Sequence, residues 1–131
     1  MIATIPTVAI VDDDLSVRRG LERLLRSAGY RVESFASARE FLAHPEPAGT
    51  CCLVLDVSMP GQSGLHLYDA LLANGLNIPV IFIAGHDDLA IAARALKAGA
   101  AEFLSKPFED EELLRAVAQA ASRRKSRGQL S

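Results

Sequence analysis

Apolar residues gather in five short runs, and between the runs apolar positions recur every three or four residues. Thr7-Val8-Ala9-Ile10-Val11 is unbroken and ends at acids, the pattern of a short buried strand. Leu15, Val17, Leu21, Leu24, Leu25 and Ala28 then follow at helical spacing, and Gly29 marks the stop. Arg31 to Phe35 predicts a second strand. Ser37-Ala38-Arg39-Glu40 fits a capping box opening a short helix through Phe41 and Leu42, which Pro45 and Pro47 end. Cys51 to Val57 is the third apolar run, and it too carries an acid, Asp56, at its end. Met59 to Gly64 is a loop by its proline and glycines, and Leu65 to Leu72 returns to helical periodicity. Pro79 to Ala84 is the most apolar run. Asp87 or Asp88 caps a helix running to Ala98, Ala101 to Ser105 is a fifth strand, and Glu109 to Ala121 is the last helix. Acids crowd the start of that helix and bases its end, as the helix dipole favours.

Five strand-then-helix repeats with uniformly apolar strands imply an α/β fold: a parallel sheet covered on both faces. Helices on both faces require the strand order to reverse somewhere, and ligands sit outside the carboxyl ends of the strands at that reversal. The rule selects Asp12-Asp13-Asp14, Asp56, Ala84-Gly85 and, just past the fifth strand, Lys106. The 131 residues suit one domain, and 50% hydrophobic with 23% charged residues exclude a disordered chain. A net charge of −2 leaves no electrostatic footprint for nucleic acid. Adjacent Cys51 and Cys52 lack zinc-site spacing; in a regular strand they point to opposite faces and read as small core residues. No run is long enough to span a membrane, and no P-loop or Gly-x-Gly-x-x-Gly motif supports nucleotide binding. The expected setting is the reducing cytoplasm.

If the first and third strands are neighbours, Asp12, Asp13 and Asp56 share one shallow pocket. Two like charges about 5 Å apart repel by about 3 kcal/mol at an effective dielectric of 20, so the cluster calls for a cation or a raised pKa. Hard oxygen ligands open to water suit Mg2+. Lys106 adds a fixed positive charge. Such a set binds a phosphoryl group or transfers one to a carboxylate, with Asp56 as the in-line nucleophile. Asp14 reads instead as a helix cap.

The runs Val11-Asp12-Asp13-Asp14, Leu55-Asp56-Val57-Ser58-Met59-Pro60-Gly61, Gly64 and Lys106-Pro107-Phe108 resemble the receiver domains of response regulators, the CheY-like family. The likeness runs from about Val8 to Ala121. Ile83-Ala84-Gly85-His86 and Phe35-Ala36-Ser37-Ala38 are similar to the FixJ-type branch. The resemblance implies a flavodoxin-like sheet in the order 2-1-3-4-5, a receiver over residues 1–122, and a basic tail or linker start over 123–131. It implies that Asp56 accepts phosphate from a histidine kinase and is itself no turnover enzyme. It implies Mg2+ held by Asp13, Asp56 and the Ser58 backbone carbonyl, with Asp12 acting through water, and Lys106 pairing with Asp56 and then with phosphate. Pro107 in such domains follows a cis bond. Side chains at Ser58 and His86 would tune the acyl phosphate's lifetime, an exposed loop residue being the alternative for His86. His44 and His66 read as surface or boundary residues.

Ala84 departs from the family pattern, which has Thr or Ser there to donate a hydroxyl to phosphate. Transfer should survive, while the conformational switch loses a contact. Phe103 keeps the family's aromatic body without a hydroxyl. One expectation is a domain biased toward an active-like state; ordinary core packing is the alternative. The face formed by the fourth helix, fifth strand and fifth helix would draw on Ala90, Arg94, Lys97, Phe103 and residues between Glu111 and Gln119, for a second copy or an output domain. The run Arg123-Arg124-Lys125-Ser126-Arg127 is either a frayed helix end or a linker, so DNA would be reached only through another domain. Two alternatives carry over: a pseudo-receiver that is never phosphorylated, and a magnesium-dependent aspartyl-phosphate phosphohydrolase. The second normally has an acid two residues past the nucleophile, where Ser58 stands here.

Overall fold

A computed structural model of the chain describes residues 6–43, 50–57, 64–75, 78–85, 89–97, 99 and 102–130. The strands are β1 (Thr7–Val11), β2 (Arg31–Phe35), β3 (Thr50–Asp56), β4 (Val80–Ala84) and β5 (Glu102–Ser105). They alternate with the helices α1 (Leu15–Ser27), α2 (Ala38–Leu42), α3 (Gly64–Ala73), α4 (Leu89–Lys97) and α5 (Asp110–Leu130). All pairings are parallel, in the order β2-β1-β3-β4-β5. The chain leaves β1 toward one edge and crosses back to the other side at β3, so the order reverses between these two strands. The flavodoxin-like architecture expected from the resemblance is the one observed.

Alternation along the strands divides the core in two. Ala9, Val11, Leu53, Leu55, Val80, Phe82 and Ala84 face Ala38 and Phe41 of α2 and Leu67, Tyr68 and Leu71 of α3. Val8, Ile10, Cys52, Val54, Ile81 and Ile83 face Leu21 and Leu25 of α1 and Leu113, Ala116, Val117 and Ala120 of α5. The central strands β1, β3 and β4 are almost wholly apolar because both faces are covered, whereas the edge strands β2 and β5 carry Arg31, Glu33, Ser34, Glu102 and Ser105. Leu15, grouped with the buried stripe of α1 by spacing, is 49% exposed; Leu21 and Leu25 carry that contact.

Local signals act where the sequence places them. Ser37 caps α2 by accepting from Glu40 N–H at 3.2 Å, while Glu40 reaches back to accept from Ala36 N–H at 2.9 Å. Gly29 ends α1 at φ +97°, a conformation side chains with a Cβ rarely adopt. Gly99 (φ +111°) also has the Tyr68 hydroxyl 3.2 Å from where a Cβ would stand.

Two expectations change. The register steps from Thr7↔Thr50 to Val8↔Cys52, leaving Cys51 outside the β1–β3 pairing. This bulge turns Cys51 onto the α1–α5 side, the same face as Cys52, instead of the opposite one. The last helix, expected to end at Ala121, runs on to Leu130, so of the two readings of residues 123–127 the helix end describes their backbone. Apolar periodicity fades there, but Arg, Lys, Gln and Leu are good helix formers and need no buried face to hold the backbone helical.

Candidate functional site

Strand β1 ends at Val11, and Asp12 N–H still donates to Phe35 O at 3.1 Å, so Asp12 is held in the plane of the sheet. It is 1% exposed. Its Oδ1 accepts from Asp14 N–H at 2.8 Å, and its carbonyl accepts from Arg18 Nη1 at 2.6 Å. Asp56, 6% exposed, closes β3 one strand away. Asp13 lies at the surface beside them. Oxygens from Asp12, Asp13 and Asp56 all fall within 4.8 Å of one another. Lys106 follows β5, its N–H donating to Ala84 O at 2.9 Å, and its Nζ reaches Asp56 Oδ2 at 3.4 Å. The Lys106–Pro107 bond is cis.

The four groups singled out by the strand-end rule therefore meet at the point where the strand order reverses. The other candidates divide. Asp14 caps α1, its Oδ1 accepting from Ser16 N–H at 2.8 Å and Val17 N–H at 3.2 Å, as expected. Replacing it by alanine should cost about 1 kcal/mol, read as a lower urea midpoint with an unchanged slope. His66 is exposed on α3. Ser58, His86, His44 and the Asp87-Asp88 cap lie outside the described residues.

Asp12 Oδ2 is the buried side-chain oxygen that, among the described residues, finds no hydrogen-bond partner. Burial raises the Asp12 pKa from 3.8 to about 6; the Asp14 N–H pulls the other way, the Asp56 charge adds to the rise and Lys106 subtracts from it. The folded chain thus holds this proton more tightly than the unfolded chain, so the contribution of Asp12 to folding is complete below the unfolded value of 3.8 and is lost as pH rises through about 6. In metal-free buffer, Asp12→Asn should remove this downward slope and melt higher than the parent at pH 7. An equal slope in both proteins would contradict it.

A buried, unpartnered carboxylate oxygen within reach of two further carboxylates is the donor set a hard divalent cation fits. Residues 8–118 match the sequence profile of the response regulator receiver domain. The chain belongs to this family.

Nodulation protein W of Bradyrhizobium diazoefficiens is 51% identical over 120 residues, covering 92% of this chain and 53% of that protein. Transcriptional regulatory protein FixJ of Azorhizobium caulinodans is 43% identical, over 92% of this chain and 57% of that one. The receiver domain spans about half the length of the curated relatives it matches. Among solved structures, response regulator StyR superimposes with a TM-score of 0.86 at 48% identity, covering 97% of this chain and 64% of that one. FixJ-N does so at 0.84 and 40% identity, covering 92% and 96%. The chain is thus a two-component receiver domain close to regulators of the FixJ, nodulation W and TodT type.

In this receiver Ala84 is wholly buried, and the β4–β5 register sets Phe82 opposite Phe103 and Ala84 opposite Ser105. Phe103 is half-buried and packs on the cluster that contains Ala84. Arg18 is the residue that sequence reading missed. Its place in the first turn of α1 was the available signal, because helical side chains lean toward the N-terminus and so back over the acidic turn.

Proposed function

We propose that this receiver takes a phosphoryl group from a phosphohistidine of a histidine kinase onto Asp56. The observation that carries the reading is the meeting of three carboxylates with the Lys106 ammonium, 3.4 Å from Asp56, at the reversal of the sheet. An Asp56 oxygen attacks phosphorus in line, the new P–O bond forms as the P–N bond breaks, and the departing imidazole recovers its proton from solvent. Asp13 and Asp56, with the Ser58 backbone carbonyl and Asp12 acting through water, would hold Mg2+. When bound, that ion supplies charge neutralisation for the phosphoryl oxygens. Lys106 pairs with Asp56 beforehand and with phosphate afterwards. Attack by water on phosphorus ends the signal, so the domain accepts and releases one group without turning over a separate substrate.

The transcriptional relatives support an output domain reached through the α4–β5–α5 face, where Ala90, Arg94, Lys97 and Glu111 are exposed and free to meet a partner or a second copy. The setting would be cytoplasmic, and no helix among the described residues is long and apolar enough to cross a membrane. Ala84 favours one second reading, a receiver that binds partners without phosphate.

Incubation with acetyl phosphate and Mg2+, followed by intact-mass measurement, separates these readings. One phosphoryl group per chain, lost with a chelator and lost in Asp56→Ala, is the expected result. No uptake would support the pseudo-receiver, and sustained release of phosphate from esters would support the hydrolase.

A further inference from the structure

Asp12 is fixed at three backbone-linked points. Its N–H continues the β1–β2 ladder to Phe35 O, its Oδ1 takes the Asp14 N–H, and its carbonyl takes Arg18 Nη1 at 2.6 Å. The carbonyl bond differs in kind from the other two. The Asp12 carbonyl belongs to the peptide unit joining Asp12 to Asp13, and that unit is a rigid plane. Whatever holds the oxygen also fixes the N–H on the far side and the direction in which the Asp13 backbone sets out. The guanidinium is anchored in turn by α1, whose Arg18 N–H donates to Asp14 O at 3.0 Å and whose N-terminus Asp14 caps. A helix, a cap and an arginine thus clamp one peptide plane between two carboxylates of the pocket.

We infer that Arg18 is a positioning residue for the acidic pocket: its hydrogen bond to the Asp12 carbonyl sets the Asp12–Asp13 peptide so that the Asp13 carboxylate meets those of Asp12 and Asp56. The inference rests on the reading of the pocket as an Mg2+-dependent phosphoacceptor site. Without the guanidinium, the carbonyl can turn toward water, and Asp13, exposed at the surface, leaves the common point. Groups that orient metal ligands from behind typically change affinity 10- to 100-fold when removed. Arg18 also places a positive charge against the peptide that joins two of the three clustered acids. That charge acts against cation binding, so its loss alone would tighten Mg2+. Charge and positioning therefore predict opposite signs.

The test uses Arg18→Met, which keeps most of the stem and removes the donor, and Arg18→Lys, which keeps a donor on a shorter reach. Mg2+ affinity is read by calorimetry on the whole chain, with the melting temperature in chelator measured alongside. Arg18→Met is expected to weaken Mg2+ about tenfold and to slow phosphoryl uptake at subsaturating Mg2+, while Arg18→Lys recovers much of the loss. Unchanged or tighter Mg2+ binding in Arg18→Met, with the unaltered chain binding normally, would overturn the positioning role and leave the phosphoacceptor reading intact. The same holds if both variants only lower the melting temperature. Failure of the unaltered chain to bind Mg2+ would overturn both.

Discussion

Lys106→Met should take up phosphoryl from acetyl phosphate about 10²- to 10³-fold more slowly than the parent at saturating Mg2+, the range seen when one fixed donor is removed from a site of developing charge. Lys106 follows β5 directly, and its backbone N–H is tied to Ala84 O at 2.9 Å, so the ammonium is delivered to Asp56 from a rigid strand end. The group needs no rearrangement when charge gathers on the phosphoryl oxygens, which is what makes a prearranged charge effective. The ion pair's worth to folding is smaller, because the lysine side chain is 38% exposed and water screens its end of the pair. Rate and stability therefore separate. Stopped-time mass measurements should show the slow uptake, and thermal melts should show a small change. A rate within threefold of the parent would mean that Lys106 does not face the phosphoryl group.

Ala84→Thr should strengthen the coupling between phosphate and conformation. The threonine hydroxyl would add one charge-assisted hydrogen bond to the phosphoryl group, worth about 1.5 to 3 kcal/mol, or roughly 10- to 150-fold in the equilibrium between two states. A ligand shifts such an equilibrium only through contacts that differ between the states, and alanine has no donor to offer. The position is suited to the role, since Ala84 ends β4 one residue past Ile83, the partner of Asp56 in the β3–β4 pairing, and its carbonyl accepts from Lys106 N–H. Alanine there is wholly buried, and the added atoms must fit beside Phe82 and Phe103. Overpacking of this kind costs about 1 to 3 kcal/mol, so the variant should also melt lower without phosphate. Amide spectra with and without beryllofluoride and Mg2+ report the populations. Identical populations in parent and variant would show that the hydroxyl has no part in this switch.

The site was legible because its chemistry sits at ends of apolar runs. Asp12, Asp13, Asp56 and Lys106 each follow a short β-type segment, and in a parallel sheet all such ends lie on one side. That β1 and β3 are neighbours is a long-range fact that periodicity does not contain; it came through the likeness of the motifs to receivers. Cys51 shows the limit from the other direction. Its side-chain direction depends on a bulge in the pairing with β1, so alternation read along one strand assigned it to the wrong face. Arg18 escaped notice because charged residues on α1 are common, and its role depends on how far one side chain leans back along the helix. The basic stretch beyond Ala121 stayed open between a helix end and a linker for a third reason: hydrophobic spacing reports buried faces, and the backbone that continues α5 there lies beyond the last apolar repeat.

The central claim is that Asp56, among the clustered acids, is the group that carries the phosphate. Borohydride reduces an acyl phosphate at its carbonyl and leaves ordinary carboxylates untouched, so treatment of the phosphorylated chain followed by peptide mass spectrometry marks the modified residue. The account predicts the mark on Asp56 alone, dependent on Mg2+. A mark on Asp12 or Asp13, or full phosphoryl uptake with Asp56 unmarked, would contradict it.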